Sequence, residues 1–196
     1  MIVSDKYKTI FVAIPKTSTR SVYQFFNEEL NGRIIRDHEK NIPDNFKDYY
    51  KFTIIRNPYD RVISSWWSTT QRGNDSKFYI LRTLKTDTSF LNFCKNLDIL
   101  EKNHPNVPHV TPQIEWIKNN KFDKIIKYEN LNEEWLNLPF NKNHKPLVHI
   151  NATTKVEGKR NEIAREPSEK YLSKKTIELI NKFYKEDFDN LGFDRL

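Results

Sequence analysis

Two short stretches gather residue types able to hold an anion. The first is Ile14-Pro-Lys-Thr-Ser-Thr-Arg-Ser21. Lys16 supplies a point positive charge, and Thr17, Ser18, Thr19 and Ser21 supply hydroxyl donors. The stretch follows the apolar, β-rich run Thr9–Ile14 and precedes Val22, Phe25, Phe26 and Leu30, which have the spacing of one helix face. It therefore reads as a tight turn from a buried strand into a helix. A helix start leaves backbone N–H groups unpaired and carries partial positive charge, so a phosphate-type anion suits the place. The plainer reading is a capped helix start with a solvated lysine. The second stretch is Arg56-Asn-Pro-Tyr-Asp-Arg-Val-Ile-Ser64. Arg56 ends the strand-like run Lys51–Ile55, the end at which open α/β sheets place ligands. Ser64 lies about two turns into the helix that Asn57-Pro58 opens. An arginine fork and a hydroxyl suit a second anion. A structural salt bridge is the alternative for Arg56, and Arg61 reads as a surface or ion-pair residue.

The elements that must position these residues alternate. Strands are expected at Thr9–Ile14, Arg33–Arg36, Lys51–Ile55 and Lys124–Tyr128. Helices are expected after Ile14, from Asn57, at Ser89–Leu97, from an Asn132 cap, and from Ser173 to Leu191 with Gly192 as the stop. Residues 139–170 read as mostly loop, with prolines at 139, 146 and 167. The alternation implies one α/β domain over residues 1–196, with a central parallel sheet flanked by helices and a P-loop-like turn.

Composition excludes several classes. The single cysteine, Cys94, rules out a disulfide framework and a Cys-rich zinc site. No apolar run is long enough to span a membrane, and the first residues lack the shape of a signal peptide, so the expected compartment is the cytoplasm. With 13 Phe, 9 Tyr and 4 Trp the chain has ample material for a core. The net charge of +7 favours anionic partners, but the basic residues are scattered, so no nucleic-acid arm is indicated. The five histidines show no metal-ligand spacing with Cys94, so no metal is expected.

The pair PKTSTRS and RNPYDRVIS resembles the two cofactor-binding signatures of sulfotransferases that use PAPS, the adenosine 3′-phosphate 5′-phosphosulfate donor. FKDYYKFTIIRNPYDRVIS, HVTPQIEWI, FDKIIKYENL and TIELINKFYKEDFDNLGF follow in order and resemble the carbohydrate-directed branch, from Ile10 to Phe193. The resemblance implies that Lys16 contacts the 5′ phosphosulfate and its bridging oxygen. Thr17, Ser18, Thr19, Arg20 and Ser21 would wrap the 5′ phosphate, largely through backbone N–H groups. Arg56 and Ser64 would hold the 3′ phosphate, with Gly158, Lys159 and Arg160 as a late basic loop closing over it. Ser18-Thr19 stand where the branch often has Gly-Gly or Gly-Thr, so the turn is built from less permissive residues.

The implied reaction is sulfuryl transfer from PAPS to an acceptor hydroxyl, with a carbohydrate as the expected acceptor and PAP (adenosine 3′,5′-bisphosphate) as product. Relatives carry a histidine between the two signatures, and His38 is the expected base, with Asp37 or Glu39 to orient it. Glu28 and Glu29 on the first helix are the alternative bases. His109 and Gln113 read as cleft-lining or structural. The rival functions are a P-loop-like kinase and a non-catalytic nucleotide or polyanion-binding module. The absence of G-x-x-x-x-G-K-[ST] and of an obvious Mg²⁺ carboxylate counts against the kinase.

Overall fold

The computed structural model describes residues 1–70, 83–84, 87–103, 108–148 and 168–196. The chain forms two compact units, Met1–Arg56 with Gln113–Asn151, and Asn57–Pro112 with Ala152–Leu196.

The first unit is an α/β layer. Its strands are β1 (Ile2–Ser4), β2 (Thr9–Val12), β3 (Arg33–Ile34), β4 (Tyr50–Ile55) and β5 (Lys124–Lys127), and they form one sheet in the order β3-β1-β2-β4-β5. The parallel sheet expected from alternation is in fact mixed. Only β2–β4 and β4–β5 are parallel, with Val12 beside Thr53 and Ile55 beside Lys127. β1 runs antiparallel to both β2 and β3. The reason is local: residues 5–8 make a tight connection, with Lys8 at φ 44, which turns the chain straight back on itself. Every residue of β1 is buried, yet three residues are too few to show a period. Helix α1 (Thr19–Glu29) packs on β1 and β3, burying Val22, Phe25 and Phe26 as their spacing requires. Phe52 of β4 centres an aromatic core, with its ring 5.1 Å from Phe11 and 5.2 Å from Phe140. Each fully buried ring of this kind contributes about 1.5–3 kcal/mol.

The second unit is helical in its described residues. It contains α2 (Pro58–Thr70), α3 (Phe90–Lys95), α4 (Leu97–Asn103), α7 (Lys174–Phe183) and α8 (Lys185–Leu191). Trp66, Phe90, Phe93, Ile180, Tyr184 and Phe188 lie in its core. The single helix expected over 173–191 is broken at Tyr184. That residue leaves helical angles while its buried hydroxyl donates to the Val110 carbonyl at 2.7 Å. Gly192, at φ 67, ends α8 as expected. Two short helices of the first unit complete the list, α5 (Ile114–Ile117) and α6 (Leu131–Leu136). Sequence periodicity misses the one-turn α5. The cap of α6 is Asn130 rather than Asn132, and it makes no side-chain hydrogen bond. Residues 139–148 carry no helix or strand, as expected of a loop.

Candidate active site

The turn after β2 is tied to one carbonyl. Thr17 Oγ1 donates to the Ile14 carbonyl at 2.8 Å, and Thr19 Oγ1 donates to the same oxygen at 3.1 Å. These two hydroxyl protons are therefore spent on the turn itself, which corrects their reading as donors to an anion. What the turn offers instead is backbone. Lys16 and Ser18 adopt left-handed angles, φ 72 and φ 65, with Thr17 between them outside that region. Alternation of this kind aims successive N–H groups into one concavity, which suits an anion. Ser18 is also the N-cap of α1 and makes no side-chain cap hydrogen bond. Thr17 and Ser21 are buried, Lys16, Ser18 and Thr19 are half-buried, and Arg20 is exposed.

Arg56 follows β4 on the neighbouring strand. Its Nη1 points to the Lys16 carbonyl at 3.4 Å, so the parallel β2–β4 pairing brings the two cationic positions together. Its guanidinium carbon lies 4.4 Å from the centre of the Tyr128 ring. Its Nε is buried without a hydrogen-bond partner among the described residues. No carboxylate pairs with Arg56 among the described residues, so the salt-bridge alternative does not hold there. Gln113, fully buried, grips the Arg56 backbone at both ends: Oε1 accepts from Arg56 N at 2.8 Å, and Nε2 donates to Arg56 O at 2.8 Å.

His38 sits at φ 50 with its side chain 23% exposed. Its Nδ1 is 3.0 Å from the Ala13 carbonyl, one residue before the turn. A carbonyl only accepts, so Nδ1 carries the proton and the neutral ring keeps its lone pair on Nε2. Nε2 lies 3.6 Å from Asp37 Oδ1. Asp37 in turn accepts from the Tyr23 hydroxyl at 2.9 Å. Burial, and then the Asp37 charge, push the Tyr23 phenol well above its ordinary range, so it stays a donor. Trp116 Nε1 donates to the His38 carbonyl at 3.2 Å and fixes the segment from the other side. Glu28 and Glu29 lie at the far end of α1, roughly 15 Å along the axis from the turn at 1.5 Å per residue. Glu28 accepts from Gln24 at 2.6 Å, and Glu29 pairs with Lys145 at 2.6 Å.

Ser64 is half-buried on α2 of the second unit. Arg61, read as a surface or ion-pair residue, is fully buried there and donates through Nη2 to the Thr111 carbonyl at 2.9 Å. His109 accepts at its carbonyl from Ser65 Oγ at 2.7 Å, a structural contact. Gly158, Lys159 and Arg160 lie outside the described residues. The sequence marked Gln113 as cleft-lining or structural without its hold on Arg56, and Tyr128 only as the end of a strand. The strand register supplies the missing signal, since Ile55 beside Lys127 makes Arg56 and Tyr128 neighbours.

The chain belongs to the sulfotransferase family, whose family model matches residues 1–194. Among curated proteins it is similar to carbohydrate sulfotransferase 10 of Homo sapiens, at 32% identity over 87 residues, 34% of this chain and 24% of that protein. Carbohydrate sulfotransferase 10 of Xenopus laevis is 30% identical over 87 residues, with the same shares. The matched stretch thus spans about a quarter of the length of these relatives. No solved structure matches the chain significantly.

Proposed function

We propose that this protein transfers a sulfuryl group from PAPS to a carbohydrate hydroxyl. The observation that carries the reading is the pairing of the Lys16–Ser18 turn with Arg56 at the ends of two adjacent parallel strands. Backbone N–H groups and Lys16 at one strand end, and at the next an arginine with no carboxylate partner among the described residues, suit a ligand with two separated phosphates. Family membership and the similarity to carbohydrate sulfotransferase 10 favour PAPS as that ligand and a sugar as acceptor.

When bound, PAPS supplies a sulfuryl group activated by its anhydride link to the 5′ phosphate. The turn amides hold that phosphate, and Arg56 holds the 3′ phosphate. His38 Nε2 takes the proton of the acceptor hydroxyl as its oxygen bonds to sulfur. The opposite sulfur–oxygen bond breaks in line, and Lys16 neutralises the charge that grows on the departing phosphate oxygen. Donors already in place for that charge are worth several kcal/mol (about 2.7–4 for one). Asp37 steadies the imidazolium that forms.

Two measurements test the reading. PAP at about millimolar concentration should raise the melting temperature, because a ligand of the native state stabilises it by mass action. With PAPS and a panel of glycans, His38→Ala should bind PAP like the parent yet transfer about 10²–10⁴-fold more slowly. Turnover should survive EDTA, which a phosphoryl-transferring kinase would not. Absence of a PAP shift, or a His38→Ala enzyme at full rate, defeats the cofactor or the base assignment respectively.

A further inference from the structure

The arginine assigned above to the 3′ phosphate is held in a way that no signature motif describes. Its guanidinium lies against one aromatic face, 4.4 Å from the Tyr128 centroid. Its backbone is locked by the Gln113 amide, two hydrogen bonds of 2.8 Å each. One end of the fork, Nη1, is turned to the Lys16 carbonyl. The Nε–H is buried and unpartnered among the described residues. A buried donor without a partner is costly, and a bound anion removes that cost. A stacked guanidinium also has its donors confined to one plane, and planar donors discriminate by position more sharply than a mobile ammonium does.

We infer that Tyr128 and Gln113 are positioning residues that set this protein's preference for a 3′-phosphorylated nucleotide, acting through Arg56. The inference rests on the assignment of Arg56 to the 3′ phosphate. Tyr128 owes its place to register: β5 pairs with β4 so that Lys127 lies beside Ile55, and Tyr128 and Arg56 are the residues that follow those strand ends. The ring, not the hydroxyl, makes the stack, since the attraction is to the aromatic face. Gln113 acts like a short strand edge, satisfying the N–H and C=O of Arg56 where β4 ends.

The test compares PAP with adenosine 5′-monophosphate, which lacks the 3′ phosphate, by titration calorimetry on the full chain. The parent should prefer PAP, and Arg56→Ala should abolish most of that preference. Tyr128→Leu should weaken PAP by about ten-fold, the size of a stacked cation contact, and leave the monophosphate unchanged. Tyr128→Phe should restore PAP binding. Gln113→Met, which keeps the volume and loses both hydrogen bonds, should lower the PAP preference in the same direction. If Gln113→Met does not fold, the Tyr128 pair decides alone. Equal losses for both ligands in Tyr128→Leu, or no loss for either, overturn the inference while leaving the Arg56 assignment standing. A parent without preference for PAP, or an Arg56→Ala protein that keeps it, overturns both.

Discussion

Ser18 adopts a backbone conformation that glycine reaches freely, and it lies at φ 65, ψ 22. An L-residue in that region costs about 1–2 kcal/mol, of which glycine's extra unfolded-state freedom returns about 0.5–1. Ser18→Gly should therefore raise the unfolding free energy by roughly 0.5–1 kcal/mol and keep PAP binding, read by urea denaturation with and without PAP. A loss of stability would mean that the serine side chain supports the turn. Strain of this kind is tolerated where the surroundings fix the conformation, and the two threonine hydroxyls on the Ile14 carbonyl do so here. The tight turn between β2 and α1, and the place of Arg56 at the end of β4, were legible in the sequence because position after an apolar run is a local property. His38 was singled out only through resemblance. The structure adds geometry that the sequence could not: the ring is tethered to Ala13, whereas Glu28 and Glu29 sit at the other end of an eleven-residue helix.

Helix starts make a second scale of test. Ser173 Oγ accepts from Thr176 N at 3.3 Å, and Thr176 Oγ1 accepts from Ser173 N at 2.8 Å, a reciprocal box that opens α7. Ser173→Ala should cost about 1 kcal/mol, measured as a shift in the urea midpoint. An unchanged midpoint would show that packing of Ile180 and its neighbours holds the helix without the cap. Most elements were readable from their periodicity: β2, β4, β5, α1, α2 and α7 all fall within a few residues of where their apolar spacing puts them. Failures came where an element is short or its partner is distant. β1 and α5 are three and four residues long, below any period. The antiparallel β1 could not be read from strand–helix alternation, which speaks only for the crossovers. The Gln113 clamp joins positions 57 apart and leaves no local pattern.

For the whole molecule, the single cysteine provides a probe. Cys94 is 3% exposed in the core of the helical unit, and burial pushes its thiol up to about 12. Only the thiolate attacks disulfide reagents, so the native protein should label with Ellman's reagent far more slowly than the urea-unfolded chain. Prompt labelling of the native protein would show that this core opens readily. Among the described residues no helix is long and apolar enough to cross a membrane. The chain passes from its first unit to its second at Arg56 and returns at Gln113. Those are the two residues that the amide clamp joins. The consequence concerns time rather than strength. β5 cannot pair with β4 until the whole excursion from 57 to 112 has been made and closed, and pairings between distant positions are slow to find. On a ribosome the sheet must wait until Lys127 has emerged. In refolding, the meeting of residue 113 with residue 56 marks the moment when the Arg56 backbone is first held in place.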